Sequence, residues 1–314
     1  MQYRIGIDLG GTAIKAGVVD ENHRIVCQHT RPTGKGFSAI VADIAAAAET
    51  VAGQAGIRVE DCPCVGVGTP GCIHANTGRL AFSGNLSLRD VPLREELAKR
   101  LPVPVYIGND ANCAIAGETV AGAAKGCRNV VMLTLGTGVG GGVILDGKLL
   151  IGGDGMGAEL GHTPLVAGGY SCTCGINGCL EAYASVTALI RQAQDAMAAH
   201  PESALHAAAA KEGAVTGKLV TDCARAGDET ALAVLDRYTD YVAGGIGGFI
   251  NIFRPEVVLI GGGLSGAGDF LLDPIREKTP RYVFAGDIIG VPPIRKAELG
   301  NAAGTIGAAY LDQM

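Results

Sequence analysis

The 314-residue chain has no apolar run long enough to cross a bilayer, and its most apolar segment, 241–253, is too short and is interrupted by glycines. It has no excess of positive charge. Twenty-five Lys and Arg stand against 31 Asp and Glu, for a net charge of −6, which argues against a general nucleic-acid binder or a protein held on an anionic membrane. No basic segment followed by an apolar one precedes the opening MQYRIGIDLGG, so no signal peptide is expected. Ten cysteines without an export signal point to a reducing compartment, the cytoplasm, with thiols free or on a metal rather than in a disulfide framework. Cys62-Pro63-Cys64 is one residue short of the thioredoxin-like spacing. No flexible linker is visible, so the domains are expected to pack closely.

What the chain has in excess is glycine, 49 residues, about twice the average share. There is no collagen period, so the glycines mark tight turns and close approach of backbone to ligands. The densest chemistry lies at 157–185, GAELGHTPLVAGGYSCTCGINGCLEAYAS. His162, Cys172, Cys174 and Cys179 form a complete one-imidazole, three-thiolate set for tetrahedral zinc, with no position left open, so the metal is read as structural. The spacing does not fit a zinc deaminase, which needs His-x-Glu and Pro-Cys-x-x-Cys. Glu159 and Glu181 flank the set. Ionised carboxylates only accept hydrogen bonds and sugar hydroxyls donate them, so two glutamates fixed by a rigid clip suit a polyhydroxy ligand.

The hydrophobic pattern predicts strands at 3–9, 13–19, 24–29, 65–68, 103–108, 130–134, 139–145, 257–260 and 288–291. It predicts helices at 39–52, 93–100, 110–121, 186–199, from Asp228 to about 251, 269–278 and 302–311, with turns at 69–71 and 83–86. The first two strands flank Asp8-Leu9-Gly10-Gly11-Thr12, a hairpin turn whose N–H groups and Thr12 hydroxyl suit a phosphate. It leads into a strand, so it is neither a Walker loop nor a Rossmann turn. Asp8 suits a hydrated Mg²⁺ and Lys15 a phosphate charge, although a plain β-turn carries the same residues. The layout recurs about 125 residues later around Gly136-Thr137-Gly138, suggesting two related halves facing one polyphosphate. Gly261-Gly262-Gly263 allows close approach to a flat face such as adenine, and Asn85 lies in a turn within reach of a ligand. Asn109-Asp110 ends a strand, where ligands gather in open α/β sheets. Asp110 reads there as a helix N-cap, as a base, or as both.

These motifs together resemble the ROK family of sugar kinases, and its bacterial glucokinases most of all. Glu159-Leu-Gly-His162, followed after nine residues by Cys172-Thr-Cys174-Gly-Ile-Asn-Gly-Cys179-Leu-Glu181, carries the resemblance most specifically. It implies an α/β, actin- and hexokinase-like (ribonuclease H-like) two-domain fold with an interdomain cleft. A smaller N-terminal domain, 1–114, would be closed by the C-terminal helix at 302–314, and a larger domain, 115–301, would carry the zinc loop. It implies Asp8, Gly10, Gly11, Thr12, Lys15, Gly136, Thr137, Gly138 and Gly261–Gly263 as the ATP side, and Asp110 as catalytic base. Gly71, Asn85, Asn109, Asp110, Glu159, His162 and Glu181 would contact the sugar, His162 serving zinc with one ring nitrogen and sugar with the other. The implied reaction is ATP- and Mg²⁺-dependent phosphorylation of a hexose at its 6-hydroxyl, glucose first, by a homodimer with structural zinc. The alternatives are an N-acetylmannosamine, N-acetylglucosamine or fructose kinase, or a non-catalytic sugar sensor. The family's repressors carry an N-terminal helix-turn-helix segment, for which the hairpin near Met1 leaves no room. Departures from the family pattern are Gly84 where Pro is usual, Ala158 where Gly is usual, and the lack of any Trp.

Overall fold

The computed structural model describes residues 2–314. The strands are β1 (Arg4–Leu9), β2 (Ala13–Val19), β3 (Ile25–Pro32), β4 (Val65–Thr69), β5 (Cys72–His74), β6 (Arg79–Ser83), β7 (Leu88–Val91), β8 (Val105–Asn109), β9 (Val130–Leu135), β10 (Val139–Leu145), β11 (Lys148–Leu149), β12 (Val257–Gly261) and β13 (Ile294–Lys296). The helices are α1 (Phe37–Gln54), α2 (Leu93–Ala98), α3 (Asp110–Ala121), α4 (Glu181–Ala184), α5 (Val186–Ala199), α6 (Ala204–Glu212), α7 (Gly217–Arg225), α8 (Glu229–Phe253), α9 (Asp269–Lys278), α10 (Gly286–Ile289) and α11 (Ala303–Ala309). The contacts group them into two compact units. One comprises Met1–Val130, Gly142–Ala158 and Glu298–Met314, the other Val131–Gly141 and Glu159–Ala297. No helix among the described residues is long and apolar enough to cross a membrane.

The first unit is built on a five-stranded sheet of order β3-β2-β1-β4-β8. β2 runs antiparallel to β1 and β3, whereas β1, β4 and β8 are mutually parallel. Side chains alternate across a strand; β4 alternates valine with glycine, and β1 sets Gly6 between Ile5 and Ile7. Ile5, Ile7, Val65 and Val67 join one apolar core with Ile40, Val41, Ile44, Ala48 and Val51 of α1. The glycines turn the other face into a smooth backbone surface, on which α11 lies. A Cβ on Gly6 would fall 1.9 Å from the Thr305 carbonyl oxygen, and one on Gly66 1.7 Å from that of Ala308. α11 meets α3 in the same way, since a Cβ on Gly307 would fall 1.7 Å from the Cys113 oxygen. Only glycine permits contacts this close.

Two ionic ties hold the C-terminal segment in place. The Arg4 guanidinium pairs with Asp312 at 2.6 Å and stacks over the Tyr310 ring. Buried Glu118 accepts from the N–H groups of Ala123, Glu298 and Leu299, satisfying its charge with three backbone donors.

The second unit carries helices α4 to α10 and most of a sheet of order β11-β10-β9-β12-β13, in which β12 and β13 are parallel. Asp228 caps α8 by accepting from the Ala231 N–H, as the sequence indicates.

Three readings of the sequence change. Residues 72–91, where the sequence predicts only the turn at 83–86, form a small antiparallel sheet of order β5-β6-β7. Its strands have three to five residues, too few for a periodic pattern to show. The strand expected at 288–291 is instead the short helix α10, and β13 follows at Ile294–Lys296. The N-cap of α3 is Asn109 rather than Asp110.

The glycine face makes a direct prediction. Gly307→Ala should lower the unfolding free energy by ~3 kcal/mol or more, because backbone must move to admit the methyl group. Gly53→Ala, in the last turn of α1 with nothing within 4 Å of the added carbon, should raise it by about 0.5 kcal/mol, because alanine has less unfolded-state freedom to lose. Urea denaturation of both variants measures the contrast, and similar effects would contradict it.

Candidate active site and metal centre

In the first unit the candidate residues gather at one end of the parallel strands. The register aligns Asp8 with Gly68, Gly68 with Gly108, and Thr69 with Asn109. β1 and β8 both flank β4, so Asp8 and Asp110 leave the same sheet edge two strand spacings apart, ~10 Å. The Asn109 side chain works in both directions. Its Oδ1 accepts from the Ala111 and Asn112 N–H groups, capping α3, and its Nδ2 donates to the Gly71 carbonyl at 3.2 Å. Gly71 has φ +116, and a Cβ there would lie 2.1 Å from the Phe82 oxygen, so the loop needs glycine.

The Asp110 carboxylate accepts from the Ala111 N–H at 2.9 Å. It keeps access to solvent but is ringed by protein. That burial pushes its pKa above the ordinary carboxylate value, against the lowering effect of the Ala111 N–H and with a further upward push from Asp8. Asp8 is raised as well, by burial, with Lys15 opposing. Lys15 is its cross-strand partner, with Nζ 3.7 Å from Oδ2.

The first hairpin turn is closed by Gly10 N–H donating to the Ala13 carbonyl at 2.9 Å. It is braced from β3 by Thr33, whose hydroxyl donates to the Gly10 carbonyl at 2.7 Å. Gly11 and Thr12 stand exposed at the tip. A Cβ on Gly11 would lie 3.1 Å from the Asn85 carbonyl oxygen, so the turn and the exposed Asn85 loop are neighbours.

In the second unit the zinc-type ligand set assembles. A ring nitrogen of His162 and the sulfurs of Cys172, Cys174 and Cys179 all lie within 4.8 Å of one another. Nδ1 stands 3.6 Å from the Cys172 sulfur, and the Cys174 and Cys179 sulfurs are 3.6 Å apart. Tetrahedral zinc with its usual bonds to sulfur and nitrogen has edges of roughly 3.5–3.8 Å, so the donor set fits that ion. The local fold explains the convergence. A tight turn, with Cys172 N–H donating to Ile176 and Gly175 N–H to Cys172, brings the first two thiols together. A bridge between Pro164 and Cys179 delivers the third. Burial pushes the Cys172 thiol up to about 12, and a coordinated divalent cation reverses that penalty by binding the thiolate. With Nδ1 directed to the thiols, Nε2 of His162 is left for another partner.

Glu159 immediately precedes the 3₁₀ turn Leu160–His162, and Glu181 opens α4. The Gly136-Thr137-Gly138 turn is closed by Gly136 N–H donating to the Gly138 carbonyl at 3.0 Å. α5 anchors it: Val186 N–H donates to the Gly136 carbonyl, and the Thr187 hydroxyl to that of Thr137. Gly262, at φ +82, lies against the end of β9, where its Cβ would meet the Leu135 oxygen at 2.4 Å. Nothing lies within 4 Å of a Cβ on Gly263, so this strip abuts the second turn with an open side. Thr33, Thr173 and Thr187 brace the candidate residues and were not picked out from the sequence. No local pattern marks these threonines, whose partners lie 8 to 50 residues away. A cavity of about 320 Å³ between α5 and α8, bordered by Tyr170, Tyr183 and Tyr241, contains none of the candidate residues.

The metal set predicts one zinc per chain by elemental analysis. Cys174→Ala should fall well below that, whereas Cys127→Ala, outside the cluster, should keep it. Full zinc in the Cys174 variant would refute the assignment.

The ROK family model matches residues 4–314. A glucokinase of Thermotoga maritima is 41% identical over 310 residues, covering 98% of this chain and 96% of the relative. An N-acetyl-D-glucosamine kinase of Pectobacterium atrosepticum is 32% identical, with 98% of each covered. Among solved structures, a ROK family glucokinase from Streptomyces griseus in complex with glucose and AMPPNP superposes with a TM-score of 0.83 at 36% identity, covering 98% of both chains. The fold is the α/β, actin-like fold of the ROK hexokinases and glucokinases. The chain belongs to the ROK family.

Proposed function

We propose that this ROK-family sugar kinase transfers the terminal phosphoryl group of ATP to the 6-hydroxyl of glucose, with Asp110 as the general base. The observation that carries the reading is Asp110 itself, at the end of a parallel strand, fixed by the Ala111 N–H, with a pKa raised above the ordinary carboxylate value. A base raised in this way binds a hydroxyl proton better than an ordinary surface aspartate does. Asp110 takes the proton of the 6-hydroxyl as that oxygen attacks the γ-phosphorus, the bond to the β–γ bridging oxygen breaks, and ADP leaves.

Positioning and charge neutralisation supply most of the rate in such transfers. Gly10–Thr12 and Gly136–Gly138 offer turn N–H groups to the phosphates, Lys15 offers a cation, and Gly261–Gly263 offers a flat seat for the base. Mg²⁺, when bound, neutralises phosphate charge, and Asp8 is the carboxylate suited to hold it through water. Glu159, Glu181 and Nε2 of His162 bind sugar hydroxyls, with Gly71, Asn85 and Asn109 shaping the rest of the pocket. Zinc on His162, Cys172, Cys174 and Cys179 is structural and fixes the loop. Glucose is favoured over N-acetyl sugars because the glucokinase relative is 41% identical and the N-acetyl-D-glucosamine kinase relative 32%. An intact Asp110 and two well-formed phosphate turns speak against a sensor that only binds. An enzyme using ATP and free hexose works in the cytoplasm.

The working form is a homodimer. Phe284 is 84% exposed, Ile288 80% and Ile252 70%, and Tyr282 and Ile289 continue the same ridge. The ridge is held stiffly: Asn251 donates to the Tyr282 carbonyl and accepts from the Phe284 N–H, and Arg254 donates to the carbonyls of Ile289 and Gly290. Exposed apolar side chains grouped in this way mark an association surface more often than a free one. A second copy covers such a ridge by presenting the same ridge in return.

Two experiments follow. Asp110→Asn should lower kcat by ~10²–10⁴-fold while leaving glucose binding within a few-fold. In the wild type the acid limb of kcat/KM should lie above the ordinary carboxylate pKa of about 4, since a raised base loses activity earlier as pH falls. A variant as fast as the parent would remove Asp110 from the mechanism. The Phe284→Asp, Ile288→Asp double variant should sediment at the chain mass and the parent at twice that mass. A monomeric parent would remove the dimer.

A further inference from the structure

The Glu181 carboxylate is committed on both sides within its own unit. Oε2 accepts from the Val139 N–H at 2.9 Å, immediately after the Gly136-Thr137-Gly138 turn. Oε1 accepts from the Thr173 hydroxyl at 3.2 Å and, when that thiol is protonated, from Cys172 at 3.3 Å. One side chain therefore joins the metal loop to the second phosphate turn. A carboxylate has about four lone-pair positions, so a ligand hydroxyl can still be received.

Gly138 is what allows the reach. A Cβ there would stand 2.3 Å from Oε2 and 3.2 Å from the carboxyl carbon. The residue has no positive φ, so its backbone conformation does not demand glycine. The demand comes from the carboxylate. The opposite side of the turn is tied to α5 through Val186 and Thr187, so Glu181 and α5 hold the turn from two directions.

We infer that Glu181 is a positioning residue for the phosphate turn as well as a sugar ligand, and that its bond to the Val139 N–H couples sugar occupancy to nucleotide affinity. The inference rests on the proposed kinase reading of the 136–138 turn and goes beyond it. A sugar hydroxyl that orients Glu181 sets the turn before ATP arrives. By thermodynamic linkage ATP must favour sugar by the same factor.

Calorimetry with glucose and the non-hydrolysable analogue AMPPNP tests this on the full zinc-loaded chain. In the parent, saturating AMPPNP should tighten glucose binding about fivefold or more, with the reciprocal gain for AMPPNP. In Gly138→Ala and in Glu181→Ala that factor should fall to about one, with zinc still at one per chain. Thr173→Val removes only an exposed hydroxyl from Oε1 and should give an intermediate factor in a fully folded protein. A Gly138→Ala protein that keeps the coupling and loses only nucleotide affinity would overturn the inference and leave the kinase reading standing. If Gly138→Ala changes neither ligand's affinity, the turn is not a phosphate site, and both readings fall.

Discussion

The contact between α11 and the glycine face of the first sheet is the constraint on which the first unit depends. Carbonyl oxygens of the helix occupy positions that side chains on Gly6 and Gly66 would fill. The helix thereby closes the second face of β1 and β4, leaving α1 to cover the first. Both strands are buried along almost their whole length, which fixes where they end. The site residues emerge at those ends: Asp8 from β1, the Gly71 loop after β4, and Asn109-Asp110 from β8. The position of the proposed base is thus set by packing about 200 residues away in sequence, and Asn109 transmits it by capping α3 while gripping the Gly71 carbonyl.

The second unit uses a different device. A short irregular loop cannot hold two glutamates by hydrophobic burial alone, because it has little core of its own. Its own apolar cluster is small, with Cys172, Cys179, Ala182 and Tyr183 buried together. The four donors His162, Cys172, Cys174 and Cys179, if they hold zinc as proposed, would supply the missing rigidity. Tyr183 helps from the other side of α4, accepting from the Tyr170 N–H at 2.9 Å two residues before Cys172. Rigidity at this loop matters because α4 carries Glu181, which accepts from the Val139 N–H beside the Gly136-Thr137-Gly138 turn.

Much of this was legible in the sequence, for unequal physical reasons. The metal set could be read because four ligand residues of uncommon type fall within 18 positions, and spacing decides whether they can converge. The two Gly-Thr turns could be read because each is bounded by strands with strong β-branched patterns. The small sheet at 72–91 could not be, since its strands are too short for a period to emerge. Ile288-Ile289 misled for an instructive reason: a β-branched apolar pair reads as a strand, but here it sits exposed on the short helix α10. The grip of Glu181 on Val139 spans 42 residues, and no local pattern encodes such a pair. Gly6 of β1 and the alternating glycines of β4 were visible as glycines, but their meaning needed the helix that lies on them.

The central claim is that these two sets of residues serve the phosphorylation of glucose. The most direct test is ATP-dependent phosphorylation by zinc-loaded protein across glucose, mannose, fructose, N-acetylglucosamine and N-acetylmannosamine, compared by kcat/KM. The account predicts clear preference for glucose, with the phosphoryl group on the 6-oxygen. Preference for an N-acetyl sugar would contradict the substrate, and no turnover with any of the five would contradict the kinase assignment itself.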